Sequence, residues 1–459
     1  MNLEQLRKQA KELVRAARVG HDAALMRLGE LPPILASAQL VLAREHGHKS
    51  WPALVHSLHG DAERFVVAAI SRRRDRAEAV LAARPEVERD RWARLVLGRG
   101  WDGDPNEVGG PCGWAPLHYV CHSCFASIPF AQELLRRGAD PNAYFVNEYG
   151  PMSTLYGAAG VLHDPELTRV LLEGGADPNG EPHFGDALYH ACEAESPECV
   201  RVLLAHGAEP NGTNALAHAL DYDHLEHVQL LLDAGADPNG GALLSHAVRR
   251  ERGPEFLRLL AERGADLDRH GGETWRGDVP LRTPYQHAFI RGREDQVQAL
   301  ADLGASTALS REDELLGAIA RGERPAGALT EELDPDGQEV VILAALRGKL
   351  DLVLDAVGPR FRGVVGGGPA GTLLHHAAWV GDPAVAETLL VHGADPTAPS
   401  GAEFDTPLAW AVLGSQNWQI PGRDYVRVAE LLVQAGAELE PRFADVAHGP
   451  LEGWLEGRI

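Results

Sequence analysis

The sequence predicts an all-α solenoid of paired antiparallel helices joined by turn or hairpin fingers, closed at its N-terminal end by a helical cap. Three observations carry that expectation. A short tip of the form Gly-Ala-Asp/Glu-Pro-Asn, or a near relative, recurs with its glycines at Gly138, Gly175, Gly207, Gly235, Gly264, Gly304, Gly393 and Gly436. Their successive steps are 37, 32, 28, 29, 40, 89 and 43 residues, one supersecondary unit each apart from a single long gap. A leucine pair precedes most tips, as in Leu134-Leu135, Leu171-Leu172, Leu203-Leu204, Leu231-Leu232, Leu259-Leu260, Leu389-Leu390 and Leu431-Leu432. With Val170, Val202, Val228 and Val428 these leucines form the apolar stripe of a short helix.

Taken in order, residues 1–60 form a helical extension. Leu3, Leu6, Ala10, Leu13, Val14 and Ala17 stand at helical spacing within 3–29, and a second helix runs from about Ala36 to His46. Residues 61–100, with Phe65–Ser71 and Ala77–Ala83, read as a degenerate capping repeat, since a terminal unit has one face without a neighbour. Residues 101–308 carry the clearest units. Each tip glycine is expected to close a helix in the left-handed region, where a Cβ would clash, and Asp-Pro-Asn then turns the chain. The gap between Gly304 and Gly393 holds two worn units, Asp313–Ala320 and Val340–Leu346 followed by Leu350–Val357. Residues 309–360 are therefore where a bend or hinge is expected. Residues 361–459 return to regular units and a C-terminal cap.

The first helix of several units opens alike: Ala115-Pro116-Leu117-His118, Thr283-Pro284-Tyr285-Gln286-His287-Ala288, Thr372-Leu373-Leu374-His375-His376-Ala377 and Thr406-Pro407-Leu408-Ala409. Proline suits a first helical turn, and alanine lets helices approach closely. These segments resemble ankyrin repeats, whose signature is a Thr-Pro-Leu-His-x-Ala helix start on a period of about 33 residues. The resemblance spans about residues 100 to 440. The stretch Ala43-Arg44-Glu45-His46-Gly47 with Ser50-Trp51-Pro52 is similar to an extension carried ahead of ankyrin arrays in some bacterial proteins. Fingers vary: after Asn211 and Asn239 they are trimmed, whereas Asn142–Ser153 and Leu267–Thr283 are long.

With 459 residues, 44% of them hydrophobic, the chain can build one continuous repeat core. A net charge of −23 argues against nucleic acid or an anionic membrane as partner. The absence of a long apolar run and the polar start Met1–Arg7 point to a cytoplasmic protein. Five cysteines suit reduced thiols. The basic run Arg72-Arg73-Arg74-Asp75-Arg76 is expected as a solvated junction offset by Asp61, Glu63, Asp75 and Glu78.

Chemistry-bearing candidates are few. Cys121-His122-Ser123-Cys124 has a zinc-compatible cysteine spacing but no second pair, so packing is the expected role. A zinc or small-molecule site using Cys121, His122 and Cys124 is the alternative. His190, His218, His246, His287 and His376 share one repeat position. Successive rungs about 10 Å apart would be too distant to ligate one ion, so these rings are expected to pack between units and bond carbonyls. The glycine run before Thr372 lacks the lysine and the preceding strand of a phosphate loop. No cofactor is expected. No catalytic set is visible in the repeats, so an enzyme would need its activity in residues 1–100.

The ankyrin resemblance implies a protein partner held in a concave groove lined by fingers and first helices. Residues just after the alanines would face it: His122 and Ser123, then Glu193 and Glu195, then Asp221, Tyr222 and Asp223, then Arg249 and Arg250, then Arg291, Arg347 and Trp379. Acidic and basic zones along such a groove would steer a complementary partner. Tyr144, Phe145, Tyr149 and Trp275 on long fingers, and Trp418 in the insertion Gly414–Asp424, are expected as interface anchors. Intact caps favour a monomer.

Overall fold

The computed structural model describes residues 3–29, 31–51, 54, 60–147, 150–180, 187–271, 282–329, 333–366, 370–401, 404–417 and 422–458. Trp275, Trp418 and Tyr149 lie outside the described residues. The chain divides into two compact units, Met1–Asp237 and Pro238–Ile459.

The first unit begins with helices Leu3–Arg18, Asp22–Leu28 and Leu35–Glu45. Ala10, Leu13, Ala17, Ala24, Leu28, Ala38, Val41 and Leu42 form their shared core. The helical spacing over 3–29 does not continue as one helix, because Gly20 takes a φ of 78° and ends the first. Asp61–Ile70 and Arg74–Ala83 pack together as a helix pair. Within the basic run, Arg74 pairs with Glu78 at 2.9 Å and donates to the Cys124 carbonyl at 3.0 Å, while Asp61 pairs with Arg64 and Arg84.

Helix pairs then stack: Pro116–His122 with Ile128–Arg136, the π-helical turn Tyr156–Val161 with Pro165–Glu173, Ala187–Ala191 with Glu198–Ala205, and Ala215–Asp221 with Leu225–Asp233. The leucine stripe has one fixed duty. The residue four before each tip glycine (Leu134, Leu171, Leu203 and Leu231) is fully buried, and its carbonyl accepts the N–H of the alanine after the glycine at 2.9–3.0 Å. That is the 6→1 bond of a Schellman stop, and the glycine between takes a φ of 88° to 96° in these four copies.

The tips do more than turn. Asp140 and Asp177 each accept the N–H of the asparagine two residues on, at 2.9 Å, which closes the local turn. The asparagine reaches the next unit instead. Asn142 donates to the Gly175 carbonyl at 2.9 Å and accepts from the Asp177 N–H at 2.7 Å. Asn106, Asn179 and Asn211 repeat this two-point clamp on the tips at 138–140, 207–209 and 235–237. The long finger is a hairpin, Tyr144–Asn147 antiparallel to Gly150–Ser153 with Tyr144 opposite Ser153.

The second unit holds the pairs Leu243–Arg249 with Pro254–Glu262, Pro284–Ile290 with Glu294–Leu303, Leu373–Trp379 with Pro383–Val391, and Pro407–Asn417 with Tyr425–Gln434. The worn segment supplies Arg311–Arg321, Pro335–Ala344 and Leu350–Val357, whose Leu316, Val341 and Val353 join the same core. Thr283 caps its helix through the reciprocal bonds expected of a threonine start, with Gln286 as partner. Ahead of Thr372, Val365–Gly366 pairs with Gly371–Thr372, so a two-residue strand does precede that helix, contrary to expectation, and it builds a finger.

Candidate functional site

On the first unit, the first helices of successive pairs carry a ribbon of rings. Trp114 packs on His122 at 5.0 Å between centroids, and His122 meets Tyr156 at 5.9 Å. Tyr156 meets His190 edge-on at 4.9 Å, Tyr189 stacks on His218 at 3.7 Å and 13°, and His218 meets Tyr222 edge-on at 5.0 Å. The ribbon sinks at one end and surfaces at the other. His122 and Ser123, expected to face the groove, are buried at 4% and 1% exposure, whereas Tyr222 is 45% exposed.

Glu193 lies in the middle. Its Oε1 accepts from His190 Nδ1 at 2.7 Å and from His218 Nε2 at 3.2 Å, and Asp221 Oδ2 stands 3.8 Å from His218 Nδ1. The expectation that ladder histidines one unit apart would turn to carbonyls therefore needs correcting for this pair. A side chain from the loop after the first helix fills the space between rungs and serves both rings. At two other rungs the expectation matches: His287 Nε2 bonds the Gly271 carbonyl at 2.7 Å and His376 Nε2 that of Gly366 at 2.9 Å. Burial, then the Glu193 charge, raises the phenol pKa values of Tyr156, Tyr189 and Tyr222. Glu195 and Asp223 are exposed beside them, and Asp223 takes a left-handed φ of 64°.

The Cys121 side of the ribbon is closed. Cys121 is fully buried and burial pushes its thiol well above the usual range, while burial pulls His118 and His122 down to about 4. Among the described residues no three of His, Cys, Asp or Glu stand where they could hold a metal ion. Nearby, the hairpin folds Phe145 back onto Trp114 at 4.2 Å, while Tyr144 and Val146 stay exposed. With Val108 they rim a hollow of about 450 Å³ floored by Trp114 and Ala115.

The second unit treats the corresponding face differently. Arg249 is half-buried and Arg250 exposed. Trp379 is half-buried and packs edge-on against Trp410 at 6.0 Å. Arg347 pairs with Glu251 at 3.4 Å. Arg291 does not reach out as expected: its side chain is 8% exposed and pairs with Glu339 at 3.1 Å and Asp336 at 3.5 Å. Behind it lies a buried charge network that sequence reasoning missed. Arg282 contacts Asp334 at 2.7 Å, Asp313 at 2.8 Å and Glu312 at 3.3 Å, and Asp336 Oδ2 is 3.6 Å from His287 Nδ1. Burial opposes charge on Arg282, but Asp334 and Asp313 outweigh it. Burial likewise opposes charge on Asp336, and His287, Arg291, Arg282 and Arg249 outweigh it.

Comparison with known families agrees with the repeat units. The family model "Ankyrin repeats (3 copies)" matches residues 155–242, and the single "Ankyrin repeat" model matches 112–144 and 371–400. No curated protein sequence matches the chain. Among solved structures, the human ASB11 ankyrin repeat domain is similar at 22% identity and a TM-score of 0.36, covering 53% of this chain and 99% of that one. The ankyrin repeat domain of Bcl-3, a member of the IkappaB protein family, is similar at 27% identity and a TM-score of 0.36, covering 43% and 90%. Among the described residues no helix is long and apolar enough to cross a membrane. With the tips, leucine stops and paired helices in place, the matched segments are ankyrin repeats, and the fold is an all-α ankyrin array.

Proposed function

We propose that the chain is a non-enzymatic binding scaffold that holds another protein along the first-helix face of its repeats. The observation that carries this is Tyr222, a large ring 45% exposed at the open end of the aromatic ribbon, flanked in sequence by Asp221 and Asp223 and packed on His218, which Glu193 holds. The finger before it is trimmed, since Ala215 begins a helix soon after the Asn211 tip. Exposed aromatic rings beside charge are what interface hot spots are made of. Glu193, Glu195, Asp221, Tyr222 and Asp223 are the proposed contacts of the first unit, and Arg249, Arg250 and Trp379 those of the second. Trp275 on its finger and Trp418 in the insertion 414–424 remain proposed anchors. We place the protein in the cytoplasm as a monomer, with neither nucleic acid nor membrane as partner.

The test is affinity capture from the source lysate with the intact chain and with an Asp221→Arg, Tyr222→Ala, Asp223→Arg variant of unchanged melting temperature. A protein retained by the first and lost by the second supports the reading. Equal retention of every captured protein by both sinks it.

A further inference from the structure

The geometry points to an arginine of a basic partner segment as the group this face receives, its guanidinium paired with Glu193 and lying against the Tyr222 and Tyr189–His218 rings. The inference rests on the binding reading above and names the chemistry of the partner.

Three features carry it. Glu193 is held in advance: Oε1 takes both imidazoles, and among the described residues no lysine or arginine pairs with this carboxylate. Fixing the acceptor before binding removes part of the ordering cost of an incoming cation. Next, the two imidazoles held by Glu193 pack against three phenol rings, His190 against Tyr156 and Tyr189 at 4.9 Å each and His218 against Tyr189 at 3.7 Å and Tyr222 at 5.0 Å, and such a ring cluster next to an anion favours a flat, delocalised cation over a compact ammonium. Last, the chain makes this arrangement internally. Arg91 lies 4.1 Å over the Trp101 ring while both Glu107 oxygens accept its N–H groups, at 3.1 and 2.7 Å. Arg74 does likewise with Phe125 and Glu78, and Arg442 with Phe404 and Glu440. On the second unit, Arg291 meets Asp336 and Glu339 from within. Around Glu193 the rings and the carboxylate are present, and among the described residues no arginine pairs with it.

The test titrates the full chain with a fluorescein-labelled Arg-Arg peptide flanked by Gly and Ser, alongside Lys-Lys and citrulline counterparts. The Arg-Arg peptide should bind, the Lys-Lys peptide more weakly, and the citrulline peptide at least about tenfold more weakly. Glu193→Gln keeps an acceptor for both imidazoles but removes the charge, and should weaken Arg-Arg binding by about tenfold. Glu173→Gln, the same charge change at the exposed end of the helix Pro165–Glu173, should not. No binding, equal binding of the citrulline peptide, or equal effects of the two variants would overturn the proposal. A partner captured from lysate and lost by the triple variant but retained fully by Glu193→Gln would leave the binding face standing and reject the arginine seat alone.

Discussion

The two units bind their own repeats together by different chemistry. In the first, every tip from Asn106 to Asn211 clamps its successor through two side-chain bonds at the surface, and rings fill the face between first helices. In the second, Asn239 makes the same clamp on Gly264 and Asp266, and Asp268 makes half of one, to the Ser306 N–H. Beyond Ser306 the tip motif lapses until Gly393, and there Arg282 ties its own helix start to the helices Arg311–Arg321 and Pro335–Ala344 through Asp313, Asp334 and Glu312. Where the surface clamp is worn away, buried ion pairs hold neighbouring units in register. A buried pair does so at greater risk, because losing one partner strands the rest in low dielectric.

The largest expected effect follows from that risk. Arg282→Ala leaves Asp313 (4% exposed) and Asp334 (13%) without their cation, and should destabilise the second unit by about 3–5 kcal/mol. Hydrogen exchange would show protection falling in Pro284–Ile290 and Arg311–Arg321 while Pro116–His122 is unchanged. Unaltered protection in the second unit would mean that its apolar core, and not the ions, holds the worn repeats.

A middle-sized effect probes the ribbon. His118 and His122 titrate near 4 in the fold and at about 6.5 when unfolded, so the unfolded chain binds more protons as the pH drops. Their contribution is complete above about pH 6.5 and is lost progressively towards pH 4, roughly 2 kcal/mol for each by about pH 5. Protection of the amides in Pro116–His122, corrected for intrinsic exchange, should fall accordingly between about pH 7 and pH 5. Imidazole resonances of these two residues that titrate near 6.5 in the folded chain would remove the basis for this prediction.

How much of this could be read from sequence depends on reach. The leucine stop at Leu134 or Leu203 and the left-handed glycine after it are legible because a helix end is settled by residues a few positions apart. The Asn142 clamp is not, since its partners at 175 and 177 belong to the next unit and any polar tip residue looks alike in isolation. Glu193 is legible as a residue of the first-helix face, but its service to two histidines depends on the loop's path. The Arg282 network is hidden because the worn units are recognisable in sequence only through their apolar residues. Its local signals were Ser310 with Asp313, a capping box, and Asp334 before Pro335, a helix start; each explains an aspartate as a cap and conceals its second role as an ion-pair partner.

The smallest effect separates stability from use. The residue linking the two helices of a pair adopts a left-handed φ in several repeats, and Gly292 and Gly381 hold that place at 67° and 65°. Asp223 holds it at 64°, with its N–H on the Leu220 carbonyl and the next N–H on Ala219, the same Schellman closure. A side chain here costs up to about 1 kcal/mol relative to glycine, aspartate being among the residues that bear it best. Asp223→Gly should therefore raise stability by about 0.5–1 kcal/mol, read as a shift in the urea midpoint with an unchanged slope. If the same variant weakens capture of the partner, the strained backbone is tolerated for the carboxylate it presents. If it stabilises the chain and capture is untouched, the strain at Asp223 serves no binding role and the contact surface narrows to Tyr222, Asp221 and Glu193.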